Sequence, residues 1–289
     1  MSHTTAHITE CPRDAMQGIK EWISTQDKIR YINQILQCGF DTVDFGSFVS
    51  EKAMPQMRDT DEVLKGLHLD NTQSKLLAIV ANLRGAQTAA QYDEIALLGF
   101  PFSISETFQQ RNTNSSIAES LVRVEEIQNL CTLHNKQLII YISMGFGNPY
   151  GDPWNAETAI GWCEQLHEKL GIVSMAPSDT VGIATPESIH YLFSQLIPAL
   201  PEVKFGAHLH TTPHTWREKV EAAWQAGCYR FDGAIKGFGG CPMAADALTG
   251  NMPTENLISY FDNMSVGHGV VSTAFSAAMQ IATEIFPAH

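Results

Sequence analysis

The stretch Gln137-Leu-Ile-Ile-Tyr-Ile-Ser143 is apolar and β-branched, as expected of a strand that is covered on both faces. Helical spacing of apolar residues follows over residues 156–169, and a second strand-like run follows over residues 172–176. The same alternation continues in both directions along the chain. It gives eight strand-like runs, at residues 6–10, 42–49, 75–81, 100–105, 137–143, 172–176, 203–210 and 230–235.

Amphipathic stretches with helical spacing lie between and after these runs, at residues 26–38, 61–67, 85–98, 117–134, 156–169, 186–196, 215–226 and 254–261. Thr25 and Thr185-Pro186 are candidate helix starts, and Gly39, Gly99, Gly171 and Gly227 are candidate helix ends. Eight βα units predict an α/β fold, a single (β/α)8 TIM barrel over residues 1–289, with a C-terminal helical extension at about 272–285. A doubly wound open sheet is the alternative.

The composition excludes several classes of protein. Hydrophobic residues make up 44% of the 289 residues and charged residues 17%, which is typical of a globular protein with a sizeable core. A net charge of −13 opposes nonspecific binding to nucleic acid or anionic lipid. The apolar runs are too short for a membrane span, and the first residues resemble no secretory signal. We therefore expect a small-molecule partner, with no nucleic acid and no membrane.

The six cysteines contain no CxxC pair. A chain of this size does not need disulfides, so we expect free thiols and a cytoplasmic location.

Polar side chains follow the predicted strands at their carboxyl ends, whereas the opposite ends carry little comparable chemistry. Barrel enzymes place their active site at that carboxyl face. The sequence therefore predicts a site there, built from members of the following set: Arg13, Asp14, Asp44, Ser47, Asn82, Ser105, Glu106, Ser143, Asp179, His208, His210, Cys241 and Asn251.

His208 and His210 form the most informative pair. Residues i and i+2 of a strand face the same side, so both imidazoles would point into the barrel mouth. The first, seventh and eighth strands are neighbours in a closed barrel, which allows Asp14 and Asn251 to converge on the histidines. Two imidazoles, one carboxylate and one amide oxygen suit Mg²⁺ or Mn²⁺. The alternative is a pair of histidines satisfied within the core.

Three other charged residues are candidates for catalysis. Arg13 beside a metal could stabilise an enolate, although Arg13-Asp14 could also be a surface ion pair. Asp44 lies in an apolar strand, where an acid needs a partner, and Arg13 is a suitable one. Asp179 could reach a substrate hydroxyl from its strand end, or it could belong only to a turn before a helix.

The segment Gly237-Phe-Gly-Gly-Cys-Pro-Met243 is rich in glycine and ends in a rigid turn. Over a metal site it would form a lid, near residues 237–251, that carries Cys241 as a movable acid or base. The alternative is a flexible connection with an incidental thiol. Neither GxGxxG nor the lysine-bearing P-loop pattern is present, so the segment is not a phosphate-binding loop.

Ten motifs, in one order along most of the chain, resemble those of the 3-hydroxy-3-methylglutaryl-CoA lyase family in the DRE-TIM metallolyase superfamily of (β/α)8 enzymes. They are Glu10-Cys-Pro-Arg-Asp-Ala-Met-Gln17, Ser47-Phe-Val-Ser-Glu-Lys52, Pro55-Gln-Met57, Glu62-Val-Leu-Lys-Gly66, Asn114-Ser-Ser-Ile117, Ser178-Asp-Thr-Val-Gly182, Thr185-Pro186, His208-Leu-His210, Gly237-Phe-Gly-Gly-Cys-Pro242 and Gly250-Asn251.

The resemblance implies a reaction. Family members cleave a 3-hydroxy-3-methylacyl-CoA by metal-dependent retro-Claisen chemistry, which here implies an acyl-CoA substrate and the products acetyl-CoA and acetoacetate. It also implies a homodimer and a place in leucine degradation. Lys52 and Arg111 are candidates for holding the CoA phosphates. By position, the family's metal ligands fall on Asp14, His208, His210 and Asn251.

The resemblance also implies catalytic roles. Arg13 would stabilise the enolate that forms when the C–C bond breaks, and Cys241 would protonate it. Asp44 or Asp179 would help to remove and relay the proton of the substrate hydroxyl.

Three residues depart from the family pattern. Asp44 replaces the usual glutamate, Thr211 follows the second histidine in place of aspartate, and Ile139 stands where a basic residue is expected. These departures bear on which acyl-CoA is the substrate. Two other functions are open: a related Claisen-condensing synthase or 4-hydroxy-2-oxo-acid aldolase, and a metal-binding barrel without catalysis.

Overall fold

The computed structural model describes residues 5–240 and 249–286. Eight parallel strands within them close into a barrel: β1 (His7–Glu10), β2 (Thr42–Ser47), β3 (Lys75–Ile79), β4 (Ile95–Ser103), β5 (Gln137–Ser143), β6 (Ser174–Asp179), β7 in two pieces (Lys204–Phe205 and Ala207–Thr211) and β8 (Arg230–Gly233). The barrel closes where β1 pairs with β8, with His7 opposite Arg230 and Glu10 opposite Gly233. A short strand, β9 (Gly250–Asn251), pairs antiparallel with β7.

Helices surround this barrel and connect its strands. They are α1 (Pro12–Gln17), α2 (Thr25–Leu36), α3 (Thr60–Lys65), α4 (Leu83–Ala89), α5 (Glu106–Thr113), α6 (Ile117–Leu133), α7 (Ala156–Leu170), α8 (Pro186–Ala199), α9 (Trp216–Gln225), α10 (Thr254–Asn263) and α11 (Ser272–Ile285). Two 3₁₀ turns lie at Pro55–Met57 and Ile235–Gly237. The prediction of a (β/α)8 barrel is confirmed.

The hydrophobic core has two layers. The main layer fills the space between strands and helices, and a small second cluster inside the barrel consists of Leu77, Leu97 and Ile139. Gly99 of β4 borders this inner cluster. A Cβ atom there would lie 2.5 Å from Cδ1 of Ile79 and 3.0 Å from Cε2 of Tyr141. Glycine therefore lets the neighbouring strands fill the interior at this level.

The predicted boundary between the helix over 85–98 and the strand over 100–105 is wrong. Helix α4 ends at Ala89 and β4 already begins at Ile95, so Gly99 lies within a strand and does not end a helix. A short apolar run such as residues 95–98 suits a buried strand as well as a buried helix, so periodicity alone does not decide. The sequence pattern also does not predict α1 and α5, which are only 6 and 8 residues long.

Local capping signals identify two helix starts to within one residue. Ser24 caps α2 by accepting the backbone N–H of Asp27 at 3.1 Å, so the predicted cap, Thr25, is the first helical residue. Thr185 caps α8 as predicted, because its side chain accepts the backbone N–H of Ser188 at 3.2 Å.

The last helix packs outside the barrel against α2. The rings of Phe40 and Phe275 meet edge to face with centroids 6.1 Å apart, and Arg30 Nη1 lies 2.8 Å from Glu284 Oε2. The predicted C-terminal helix is confirmed at Ser272–Ile285. No helix in the described part of the chain is both long and apolar enough to cross a membrane.

Candidate active site

Arg13 and Asp14 lie on α1, which begins just beyond the carboxyl end of β1. Pro12 occupies the first helical turn, where its missing N–H leaves no donor unsatisfied. Gln17, one turn later, accepts from Arg13 Nη1 at 2.9 Å and donates to Asp14 Oδ1. Strand β1 thus delivers a guanidinium and a carboxylate, bridged by an amide, to the carboxyl face of the barrel.

A buried ion pair with Asp44 of β2 fixes the Arg13 guanidinium. Arg13 Nε lies 3.2 Å from Oδ1 and 3.0 Å from Oδ2 of Asp44, and Nη2 also donates to Oδ2. Burial raises the pKa of Asp44 to about 6, although the charge and hydrogen bonds of Arg13 oppose this. Burial lowers the pKa of Arg13, but Asp44 and Asp14 outweigh it and raise the value above its usual range. Arg13 therefore stays charged.

The histidines of β7 face the same side, as the strand alternation predicts, with ring centroids 5.5 Å apart. His208 Nδ1 lies 3.1 Å from Asp232 Oδ2, and its Nε2 lies 3.7 Å from Asp14 Oδ2. His210 Nδ1 lies 3.0 Å from the carbonyl oxygen of Thr180. In both rings, Nδ1 has an orienting partner, so that Nε2 is the nitrogen available to a ligand.

The pKa values of the two imidazoles shift in opposite directions. Burial lowers the pKa of His208, but the hydrogen bond and charge of Asp232 outweigh it and raise the value above 6.5. Burial, reinforced by the charge of His208, lowers the pKa of His210 to about 4. His210 is therefore neutral at pH 7, the form in which an imidazole nitrogen can bind a cation.

Asn251 reaches the site from β9, where it pairs with His210. Its Nδ2 donates to the carbonyl oxygen of Phe238 at 2.8 Å, so Oδ1 is the atom that it can offer a cation. Gly239 packs beside it with φ +91°, and a Cβ atom there would lie 2.5 Å from the carbonyl oxygen of Asp14 and 2.7 Å from Asn251 Nδ2. Only glycine fits this close approach of the loop to the site.

Asp179 occupies a different environment, away from the open part of the site. Its Oδ2 lies 2.6 Å from Lys219 Nζ, and its Oδ1 accepts the backbone N–H of Ala184 at 3.0 Å. The Asp179 side chain is fully buried. Lys219 and the backbone of Ala184 therefore hold the Asp179 carboxylate inside the protein.

Two cavities open at the carboxyl face. The lining of the smaller cavity, about 420 Å³, includes the polar residues Arg13, Asp14, Gln17, Tyr141, Ser143, Ser178, Thr180, His208 and His210. The rest of its lining is mainly apolar and includes Val49, Met54, Ile79, Ala81, Pro101 and Phe108. The larger cavity, about 800 Å³, lies beside Asn251 and the glycines at 237–240, and its lining includes Lys20, Trp216 and Lys236.

The donors present suit a divalent cation. Asp14 supplies a carboxylate, His208 and His210 supply oriented Nε2 atoms, and Asn251 supplies an amide oxygen, all without thiolate. Among the residues that the structure describes, no three His, Cys, Asp or Glu side chains are already gathered as a metal-binding group. The fit thus rests on the chemistry and orientation of the donors.

Most of the predicted site residues come together. Arg13, Asp14, His208 and His210 line the smaller cavity, Asp44 lies directly behind Arg13, and Asn251 lines the larger cavity. Cys241 and most of the predicted lid lie outside the described residues.

Asp179 lines neither of these cavities, and neither does Lys52. Arg111 does line the smaller cavity, with its guanidinium 4.6 Å from the centroid of the Tyr150 ring.

The sequence reasoning missed three residues that position the site. Asp232 is an acid in an apolar strand, as Asp44 is, and the same argument could have identified it as a partner of His208. Gln17 follows Arg13 by four residues, which is the spacing of side-chain neighbours on a helix. Lys219 lies on α9, far from Asp179 in sequence, and no local signal predicts their contact.

The fold and the site together define a (β/α)8 enzyme with an arginine–carboxylate pair and two histidines at its carboxyl face. A family model described as HMGL-like matches residues 7–282, and the chain belongs to that family. It is 33% identical to the hydroxymethylglutaryl-CoA lyase YngG of Bacillus subtilis (strain 168) over 88% of this chain and 84% of that protein. It is also 33% identical to the cytoplasmic 3-hydroxy-3-methylglutaryl-CoA lyase of Rattus norvegicus over 90% of this chain and 74% of that protein. The family and these two relatives identify it as a carbon–carbon lyase.

Two other similar proteins extend the comparison. The 3-hydroxy-3-isohexenylglutaryl-CoA/hydroxy-methylglutaryl-CoA lyase of Pseudomonas aeruginosa is 31% identical over 90% of this chain and 85% of that protein. The structure of an HMG-CoA lyase from Acinetobacter baumannii, in complex with coenzyme A and 3-methylmalate, superposes with a TM-score of 0.90 at 28% identity, covering 99% of this chain and 92% of that one.

Proposed function

We propose that the protein is a divalent-metal-dependent acyl-CoA lyase that cleaves 3-hydroxy-3-methylglutaryl-CoA, or a close analogue, to acetyl-CoA and acetoacetate. The observation that carries this proposal is the setting of Arg13, which Asp44 holds at the wall of the cavity that Asp14, His208 and His210 also line. Relatives named as lyases of this substrate, and a structural neighbour that holds coenzyme A, support it.

The metal would be Mg²⁺ or Mn²⁺, held by Asp14, His208, His210 and Asn251. Such a cation supplies Lewis acidity, which lowers the pKa of a substrate hydroxyl when it is bound. Asp232 and the Thr180 carbonyl orient the two imidazoles toward this role.

Arg13 would stabilise the enolate that forms as the C–C bond breaks. A guanidinium has five N–H donors. In the described part of the chain, two of them point to Asp44, and Nη1 points to Gln17 and Asp14. One hydrogen on Nη2 is then left for a substrate oxygen, and its position does not have to change during the reaction.

Cys241 would protonate the enolate carbon, a role that rests on the family resemblance. The proton of the substrate hydroxyl would leave to water in the open cavity, because neither Asp44 nor Asp179 lines it. Asp44 would assist this step by holding Arg13 at the cavity wall. Asp179 would hold Lys219 beneath the carbonyl of His210, and we propose for it a structural role outside the proton transfer.

The CoA part of the substrate would bind in the larger cavity. The chain as a whole is acidic and gives no attraction for phosphates. Lys20 and Lys236 line this cavity and would pair with the phosphates, although Glu21 and Glu255 line it too, and Trp216 supplies an aromatic surface. We also propose a homodimer, a cytoplasmic location and a place in leucine degradation. These rest on the resemblance, and the location is further supported by the five free thiols among the described cysteines.

The direct test is product formation from 3-hydroxy-3-methylglutaryl-CoA by purified protein, with and without Mg²⁺ or Mn²⁺. Metal-dependent appearance of both acetoacetate and acetyl-CoA is the expected result. Metal binding without either product would contradict the proposed substrate and redirect the search to oxo acids or other acyl-CoAs.

Two variants test the assigned roles. Cys241→Ala should keep its affinity for the metal and lose most turnover, whereas His208→Ala should lose both. Isothermal titration with Mn²⁺ and the product assay measure the two properties separately. Full activity of Cys241→Ala would remove this thiol from proton transfer.

A further inference from the structure

Gln56 lies in the motif Pro55-Gln-Met57, which has no part in the chemistry above. It occupies the 3₁₀ turn Pro55–Met57 that follows β2, and it is 3% exposed. Its side chain faces residues 18–23, the segment between α1 and α2, which we name the wall loop. A buried side-chain amide needs hydrogen-bond partners, and the partners of Gln56 indicate its role.

The Gln56 side chain pairs with three backbone groups of the wall loop. Nε2 donates to the carbonyl oxygens of Ile19 at 2.9 Å and Glu21 at 2.5 Å. Oε1 lies 3.4 Å from the backbone nitrogen of Ile23 and accepts its hydrogen. One primary amide thus supplies both donors and an acceptor to a segment that has no regular structure of its own.

A second set of contacts fixes the backbone of the turn itself. Lys28 Nζ donates to the carbonyl oxygen of Gln56 and lies 2.7 Å from Asp59 Oδ1. The Trp22 ring, in the wall loop, has Lys28 Nζ 3.8 Å and the Arg58 guanidinium carbon 4.0 Å from its centroid. The turn therefore offers a rigid base on which Gln56 holds the loop.

The wall loop in turn forms one side of the larger cavity. Gly18, Ile19, Lys20 and Glu21 all line it, and Lys20 is exposed. The loop also follows directly after α1, which carries Arg13 and Asp14. A shift of residues 19–21 would move the cavity wall while leaving the Arg13–Asp44 pair in place.

We infer that Gln56 is a positioning residue, which holds the wall loop in the shape that binds the CoA part of the substrate. This inference rests on the proposed function for its ligand, but the contact between Gln56 and the loop does not. Loss of the amide should weaken acyl-CoA binding and spare the chemical step, because none of the proposed reacting groups that the structure describes contacts Gln56.

Gln56→Glu is the sharpest variant. It keeps the size of the side chain but replaces two donors with a carboxylate that faces two carbonyl oxygens. We expect KM for the acyl-CoA and Kd for free coenzyme A each to rise about tenfold, as the loss of a buried hydrogen bond predicts. We expect kcat to stay within about threefold, since a change confined to binding leaves it unaffected.

Trypsin provides a readout that is independent of catalysis. Cleavage after Lys20 in native buffer should become roughly tenfold faster in Gln56→Glu, because the loop is released from its anchor. Ile189→Val on α8, between β6 and β7, is the control for general destabilisation and should change neither Kd nor the cleavage rate. If Gln56→Glu does not fold, Gln56→Asn takes its place. This variant keeps the amide on a side chain that is one carbon shorter, and we expect smaller increases in KM, Kd and the cleavage rate.

Unchanged Kd for coenzyme A together with unchanged cleavage after Lys20 would overturn the inference. A fall in kcat at constant KM would also overturn it, because the residue would then act on the chemistry. If wild-type protein gives no product from 3-hydroxy-3-methylglutaryl-CoA, the proposed function fails. The trypsin rate and the Kd for coenzyme A would still decide the role of Gln56.

Discussion

Among the described residues, two buried ion pairs join an acid of a barrel strand to an arginine or a lysine, and they differ in what they leave open to a ligand. Arg13 pairs with Asp44, and their side chains are 10% and 1% exposed. Lys219 pairs with Asp179, and their side chains are 3% and 0% exposed. Both acids stand on barrel strands and both are candidates for catalysis from sequence. The difference lies in the hydrogen-bond donors of Lys219 and Arg13.

Lys219 has no donor left for a substrate. Its ammonium has three hydrogens, and Nζ donates to Asp179 at 2.6 Å, to the carbonyl of His210 at 2.9 Å and to the carbonyl of Gly182 at 3.1 Å. Arg13, in contrast, lines a cavity and, among the described residues, keeps one hydrogen on Nη2 without an acceptor. The comparison teaches that burial and charge do not distinguish the two pairs, whereas a donor left over on a cavity-lining residue does, and this difference supports our proposal that Arg13 is catalytic.

A third buried acid has no cation as partner within residues 5–240 and 249–286. Glu10, at the end of β1, accepts from the hydroxyl of Thr254 and from the backbone N–H of Ile235. Burial is the largest influence and raises the pKa of Glu10 from 4.5 to about 8, although these two hydrogen bonds oppose it. Without a cation, the carboxyl is held largely in its neutral form at pH 7.

The largest effect is expected from Arg13→Met. If Arg13 stabilises the enolate, kcat/KM should fall about 1000-fold, as removal of a positioned donor to a developing anion does. The double variant Arg13→Met/Asp44→Asn removes the unpaired buried carboxylate that the single change leaves. It should recover thermal stability without recovering turnover. Recovery of turnover in the double variant would show that the pair only supports the fold.

The second effect is expected from Lys219→Met, and it concerns stability. Loss of the cation leaves Asp179 buried and unpaired, which should lower the free energy of unfolding by roughly 3–5 kcal/mol. Urea denaturation measures this loss. Lys219→Met/Asp179→Asn should recover most of the stability and, unlike the Arg13 double variant, should keep kcat/KM near the wild-type value. A large loss of turnover in this stable double variant would assign the pair to catalysis.

The smallest effect is expected from Glu10→Gln and depends on pH. The folded protein binds the Glu10 proton up to pH about 8, whereas the unfolded chain releases it near 4.5. The proton therefore stabilises the fold, and this contribution is lost as pH rises. Between pH 6 and 8 the wild type should lose roughly 2 kcal/mol relative to Glu10→Gln. Parallel stability curves for the two proteins over this range would show that Glu10 is already ionised.

The sequence predicts the barrel well because each strand is buried on both faces and each helix presents one apolar face. Those patterns are local, so they survive without knowledge of the partners. The local pattern does not determine the boundary between α4 and β4. Gly99 reads as the end of a helix in the sequence, but it is a glycine inside a strand because Ile79 and Tyr141 fill the space that a side chain would take.

In the candidate site, too, local sequence patterns predict some contacts and not others. Strand alternation gives the shared direction of His208 and His210, and a buried acid beside Arg13 predicts its pair with Asp44. Asp232 was within reach of the same argument. The partner of Asp179 was not, because Lys219 lies on a helix 40 residues later in the chain.

The sequence by itself determined the eight βα units, the family and the types of side chain at the carboxyl face, since composition, periodicity and motif order are properties of the chain. Only the tertiary structure decided which of these side chains remain open to a ligand. Openness depends on whether residues far apart in sequence use up the donors, as they do for Lys219 and not for Arg13. The same holds for Gln56, whose contacts with the wall loop exist only once β1 and β2 lie side by side.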